Sequence, residues 1–417
     1  YVQCAKLLSH PQKAEIICSS LCKKINKNFN KIDIILSPAI GGIVVGYEVG
    51  RQLGIETIFA ERSSGSLILR RDFKIKENLN VLIVEDVVTT GKSLLECAKI
   101  VETNRLGRTE YEVTRLGLGC YRFTGDFRIP RTDALGLLDR ALSLGINYMD
   151  TAPQYGAGES EELVGRTLKK HEGKPVFIST KVGHFNQTIV HSFGEDAYRS
   201  EDCIRRVVEH SLWLLQKDRL EMVFVHEPEM QIWGWDEKTL DAPVIQALEK
   251  LKRERIIGAI GLGSNSVEFP GKLAETGRFD VIEIANGYTL LSQAIEDRIL
   301  PAARKHDLGV VAGGPFRDGL LATRQYQQVE RMKKERNWTG WVNEHALDRL
   351  WRLYRLSEDL GMPMHELSLR YVLSQPAIHS VIPGAQNLAE VDANYQAAIK
   401  GALPDDVLIA IQQMSQC

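Results

Sequence analysis

Four side chains in this sequence have the types and spacing to move a proton: Asp150, Tyr155, Lys181 and His226. A phenol is a poor acid at neutral pH, since its unperturbed pKa lies near ~10. An ammonium beside the phenolic oxygen favours the phenolate, lowers that pKa and makes proton exchange with a carbonyl oxygen feasible. Asp150 would keep Lys181 charged and oriented, and His226 would donate a hydrogen bond that positions the carbonyl. Such a group performs general acid–base chemistry and needs a hydride donor beside it.

The elements that must position these residues are short and apolar. Asp150 ends the run Ile146–Asp150, Lys181 follows Val176–Thr180, and His226 follows Met222–Val225. Further candidate strands are Leu116–Gly119, Ala259–Gly263, Val281–Ala285, Gly309–Gly313 and His379–Pro383. Amphipathic stretches lie between them, among them Asp133–Leu144, Ser160–His171, Asp202–Gln216, Pro243–Arg255 and Met364–Ser374. Eight buried strands alternating with helices predict an α/β fold, a (β/α)8 TIM barrel, whose reactive residues gather at the C-terminal strand ends. A doubly wound open sheet is the alternative, but no G-x-G-x-x-G follows a first strand to support it.

The motifs D-T-A-x-x-Y-G (Asp150–Gly156), S-T-K (Ser179–Lys181) and V-H-E-P (Val225–Pro228) resemble those of the aldo-keto reductases in order and spacing. The resemblance runs from about Asn104 to the C-terminus and makes Asp150, Tyr155, Lys181 and His226 the family's catalytic tetrad. It implies an NAD(P)-dependent oxidoreductase acting on a small carbonyl or aldose substrate. It further implies that Ser264, Asn265 and Asn286 hold the nicotinamide carboxamide. The loop Gly384, Ala385, Gln386, with Glu390 and Asn394, would meet the adenosine end at a helix start. Family members that prefer NADP usually carry Arg or Lys where this chain has Gln386 and Glu390. A carboxylate repels a 2′-phosphate and accepts from a ribose hydroxyl, so NAD is favoured over NADP.

One feature narrows the branch. The aromatic that stacks on nicotinamide after strand seven is replaced by Gly313, followed by Gly314, Pro315 and Phe316. That form, with N-x-Y-T-L-L at Asn286–Leu291, looks like the sugar 1-dehydrogenases, and Phe316 becomes the candidate to stack on the ring. Tyr121, Trp233 and Trp235 are candidate substrate contacts, and Trp338 and Trp341 lie in a later loop. His184 and His191 lack a third ligand at suitable spacing, so no metal site is expected in the barrel.

The first hundred residues follow a different logic. Val81–Val84 reads as a buried strand that stops at Glu85 and Asp86, and Thr89-Thr90-Gly91-Lys92-Ser93 then opens a helix with backbone N–H groups and hydroxyls. That is a cradle for a phosphate monoester, with the carboxylates placed for ribose hydroxyls or Mg²⁺. The stretch is similar to the phosphoribosyl pyrophosphate loop of type I phosphoribosyltransferases, and Phe59–Arg62 with Arg70 and Arg71 looks like the orotate branch. The resemblance ends near Glu102, before the family's remaining strands. The expected organisation is a partial α/β phosphoribosyltransferase-type segment over 1–102, fused to a barrel over 103–417 that opens with a hairpin plugging its base. The segment is read either as a phosphoribosyl transfer or binding unit or as an inert fusion partner.

Composition narrows the classes. With 52 basic and 54 acidic side chains among 417 residues, net charge is −2, so bulk electrostatics point to neither nucleic acid nor an anionic membrane as partner. No apolar run reaches the ~18 residues of a membrane helix. Seven cysteines at scattered spacing suit a reducing, cytoplasmic setting.

Overall fold

The computed structural model describes residues 4–29, 31–63, 66–71, 73, 75, 79–87, 93, 103–123, 129–184, 192–336 and 342–414. The chain divides into two units, Tyr1–Thr103 and Asn104–Cys417.

In the first unit, strands β1 (Ile34–Pro38), β2 (Thr57–Ser63), β3 (Ser66–Leu69) and β4 (Val81–Ile83) form one sheet in the order β3-β2-β1-β4. β1 runs parallel to β2 and β4, while β3 returns antiparallel to β2 with Ser63 paired to Ser66. All five residues of β1 are buried, as a central parallel strand covered on both faces requires. Ile35 packs with Cys18, Val45 and Val49 from the helices Pro11–Asn28 and Gly41–Leu53, and Ile34 and Leu36 pack with Ile58 and Leu67 on the other face. That split follows the two-residue period of a strand.

The second unit opens with the expected hairpin, β5 (Thr103–Arg105) and β6 (Glu112–Thr114). Leu106, Tyr111 and Val113 from this hairpin join Tyr148, Met222, Phe224, Ala259, Val281 and Val311 in one buried cluster, which fills the barrel interior with side chains. The barrel strands are β7 (Leu118–Gly119), β8 (Tyr148–Asp150), β9 (Phe177–Val182), β10 (Leu220–His226), β11 (Ile257–Ser264), β12 (Val281–Ala285), β13 (Gly309–Gly313) and β14 (Ser380–Ile382). They pair in parallel in chain order. Leu116 bridges Val381, and Gly117 N donates to Val381 O at 2.9 Å, which closes β7 onto β14. Helices such as Glu201–Leu215 and Pro243–Arg253 bury one apolar face against the strands. Among the described residues no helix is long and apolar enough to cross a membrane.

Gly107 sets the hairpin against the barrel. Its φ is +55°, and a Cβ there would lie 2.1 Å from the backbone nitrogen of Gly309. Gly107→Ala should therefore destabilise the barrel by about 2–5 kcal/mol, combining the left-handed backbone penalty with a clash against rigid main chain. All six tryptophans lie in the barrel unit, so urea unfolding followed by indole fluorescence reads this directly. An unchanged midpoint would remove the plug from its structural role.

Candidate active site

Asp150 is the last residue of β8, His226 the last of β10, Lys181 lies one residue before the end of β9, and Tyr155 opens a 3-10 turn just beyond β8. Strands in parallel register bring these four to one end of the barrel. Lys181 is 2% exposed, and its Nζ lies 2.6 Å from each Asp150 oxygen and 3.2 Å from the Thr151 carbonyl. Ser179 Oγ donates to Asp150 Oδ1 at 2.7 Å and lies 2.9 Å from the Tyr148 hydroxyl. Burial opposes the lysine's charge, but the Asp150 and Glu283 carboxyls and Tyr155 together hold its pKa well above the usual range.

Lys181 Nζ sits 5.2 Å from the centre of the Tyr155 ring. The phenol is nevertheless displaced opposite to the direction expected from the sequence. Burial raises its pKa above 10 and outweighs the Lys181 ammonium, the largest opposing influence, while Asp150 and Glu283 push it further up. The ammonium acts as anticipated, but a site at the bottom of a barrel mouth costs an anion more hydration than one cation returns. Tyr155 therefore carries its proton at neutral pH. The His226 ring stands edge-on to Tyr155 at 6.2 Å and to His184 at 4.8 Å. Burial, then the Lys181 and His184 charges, keep His226 neutral, well below its usual pKa. A neutral imidazole still offers one N–H.

These four side chains line a single cavity of about 840 Å³, within the ~300–1,000 Å³ range of small-molecule sites. The same cavity reaches Ser264, Asn265, Asn286, Gly314, Pro315, Phe316, Gly384, Gln386, Glu390 and Asn394. Ala385 is 1% exposed and packs in the core instead. Ser264 is already engaged: its hydroxyl donates to Glu229 at 2.8 Å and accepts from Ser266 N at 2.8 Å. Asn387 caps the helix Leu388–Ala398, and Glu390 reaches back to the residue before the cap. Asn387 Oδ1 accepts from Glu390 N at 2.9 Å, and the Glu390 carboxylate accepts from Gln386 N at 2.9 Å. The carboxylate is thus fixed at this end of the cavity.

Tyr121 lines the cavity, half-exposed and edge-on to Tyr155 at 5.0 Å. The two tryptophans behave differently. Trp233 is fully buried, donates to the Glu227 carbonyl and packs on Tyr198; Trp235 donates to the Pro228 carbonyl and packs on Phe269. Neither lines the cavity. Satisfying each indole N–H on the loop's own carbonyls turns the rings inward, so they brace the loop rather than wall a substrate.

Glu227, Glu283 and Arg317 also line the cavity and were not singled out from the sequence. A signal for Glu283 did exist, because V-I-E-I-A puts a carboxyl inside an otherwise apolar strand, where burial demands a partner. His184 Nε2 lies 2.9 Å from Glu227 Oε2; His191, Trp338 and Trp341 lie outside the described residues. Among the described residues no cluster of His, Cys, Asp or Glu could hold a metal ion.

In the first unit, Glu85 and Asp86 follow β4, and a Cβ at Gly41 would meet Asp86 Oδ1 at 2.6 Å, so the turn opening the helix Gly41–Leu53 is built against that carboxylate. Burial raises the Glu85 pKa, a hydrogen bond with Ser93 lowers it and the Asp86 charge raises it again. Thr89, Thr90, Gly91 and Lys92 lie outside the described residues.

Residues 115–416 match the Aldo/keto reductase family, and residues 5–107 match the Phosphoribosyl transferase domain. An uncharacterized oxidoreductase of Bacillus subtilis is 30% identical over 311 residues, covering 74% of this chain and 94% of the relative. D-threo-aldose 1-dehydrogenase of a Pseudomonas species is 28% identical over 303 residues, covering 69% and 89%. An aldo-keto reductase from Bacillus halodurans, solved in its holo form, superposes with a TM-score of 0.60 at 28% identity, covering 75% of this chain and 96% of that one. Orotate phosphoribosyltransferase of Helicobacter pylori is 47% identical over 102 residues, 24% of this chain; the match spans about half, 51%, of that enzyme's length.

Proposed function

The chain belongs to the aldo/keto reductase family of oxidoreductases, and from that premise we propose that it interconverts an aldose or aldehyde and its oxidised or reduced partner, with Tyr155 as general acid and base. The observation that carries the reading is the convergence of Tyr155, Lys181, Asp150 and His226 on one cavity. A bound nicotinamide dinucleotide supplies the hydride chemistry. The residues present fit such a group: the cavity is large, amide side chains from Asn265, Asn286 and Asn394 line it, and it ends beside a capped helix N-terminus. Those amides, with Gly314, Pro315, Phe316, Gly384 and Gln386, would hold it.

In the reductive direction Tyr155 gives its proton to the carbonyl oxygen. Lys181 stabilises the phenolate left behind, and Asp150 keeps the ammonium in place. Neutral His226 holds the carbonyl oxygen by a hydrogen bond, and Tyr121 covers the ring of Tyr155. In oxidation the phenolate takes the substrate's hydroxyl proton. Similarity to D-threo-aldose 1-dehydrogenase supports an aldose as the substrate class. The test is NADH or NAD⁺ absorbance with a panel of aldehydes and aldoses on the whole chain; no turnover with any of them would end the reading. The fixed carboxylate of Glu390 favours NAD, and we expect NADH to bind at least about tenfold more tightly than NADPH, since one repulsive charge contact is worth ~1.4 kcal/mol or more. Equal affinities in a fluorescence titration would contradict that role for Glu390.

A second reading concerns the first unit. Asp86 lying against the Gly41 turn supports binding of a phosphoribosyl ligand with Mg²⁺ by Glu85, Asp86, Thr89, Thr90, Gly91, Lys92 and Ser93. Calorimetric titration of the whole chain with phosphoribosyl pyrophosphate and Mg²⁺ checks this, with pyrophosphate release on adding orotate as the readout of transfer. Absence of any binding heat would leave the unit an inert fusion partner.

A further inference from the structure

We propose that Glu283 is a proton-bearing positioning residue that resupplies Lys181 as Lys181 serves Tyr155. The inference rests on the role of Tyr155 given above. Glu283 occupies the third position of β12, is 6% exposed and lines the same cavity as the four candidate catalytic residues. Its Oε2 lies 3.5 Å from Lys181 Nζ and, among the described residues, makes no hydrogen bond of normal geometry.

The charges around it explain its state. Lys181 is already matched by Asp150 at 2.6 Å on both oxygens. A second ionised carboxyl would be an uncompensated buried anion, which is expensive. Burial first, then the Asp150 charge, hold Glu283 up to about 8 against the pull of Lys181. The groups that face it are Tyr148 and Asp150 from β8, Tyr155 beyond it and Lys181 from β9. Its paired neighbours in β11 and β13, Gly263 and Val311, carry no charge.

A protonated carboxyl donates as well as accepts. After Tyr155 has given its proton to substrate, one Nζ proton passes to the phenolate oxygen. The Glu283 O–H proton then passes to Nζ, restoring the ammonium beside a Glu283 carboxylate. Oxidation runs the two transfers in reverse, and no electrons move in either.

The test compares the whole chain with Glu283→Gln, which keeps size and polarity but cannot titrate. In NADH-dependent reduction the wild type should lose kcat as pH rises through about 8, where Glu283 ionises. Glu283→Gln should lose that limb, with kcat lowered by up to about 10²-fold and KM little changed. A thermal-unfolding readout is independent of activity. A carboxyl raised in the folded state contributes stability that is full below its unfolded pKa of ~4.3 and is lost as pH rises to the folded value. The Tm of wild type should therefore fall relative to Glu283→Gln across that window and run parallel above it. A wild-type pH–rate profile in Glu283→Gln, or a Tm difference flat with pH, overturns the proposal. Should Glu283→Gln not fold, Glu283→Asp should keep the limb at reduced kcat, and its loss would count against the relay. Failure of the wild type with every carbonyl tested would instead strike the functional reading, and the Tm comparison would still decide the state of Glu283.

Discussion

Tyr155→Phe should lower turnover by about 10²–10⁴-fold, the usual contribution of a positioned general acid. Dinucleotide affinity should stay within about threefold, because the lost hydroxyl acts on the transition state rather than on the bound ground state. The ring itself remains to pack against Tyr121 and His226. Stopped-flow turnover and fluorescence titration on the same preparation separate the two quantities. A variant that keeps near-parental turnover would mean that another group delivers the proton.

Lys181→Met should damage stability and turnover together. The substitution nearly conserves volume but leaves the Asp150 carboxylate, 2% exposed, without its cation. Breaking one partner of a buried pair typically costs about 3–5 kcal/mol. Turnover should fall with it, since Lys181 is the largest influence holding the Tyr155 pKa down. Urea melts followed by tryptophan fluorescence should show the lost stability as a lower midpoint. An unchanged midpoint would show that the Asp150–Lys181 pair does not hold the site together.

Much of the candidate site was legible along the chain because each of its residues belongs to a local pattern. Asp150, Lys181 and His226 sit at the ends of short apolar runs, and Tyr155 follows within one loop. Strand edges shifted slightly: the run expected at Val176–Thr180 extends as Phe177–Val182 and takes Lys181 into the strand. The two aromatics expected at the substrate, Trp233 and Trp235, went wrong for a physical reason. An indole in a loop turns toward solvent or core according to which carbonyl can take its N–H, and here that carbonyl belongs to the loop itself. Glu283 was passed over because a strand rich in valine and isoleucine reads as apolar around a single charge.

By itself the sequence determined the two-part organisation, the alternation of strand and helix, and which titratable residues stand at the strand ends, because periodicity and residue type act over a few neighbours. Only the tertiary structure decided the protonation states. The phenol of Tyr155 is raised rather than lowered, and Glu283 joins Lys181 and Asp150, because burial and charge act between side chains carried by different strands. Barrel closure brings those strands together, and the same closure removes the water that would have kept each group near its ordinary pKa.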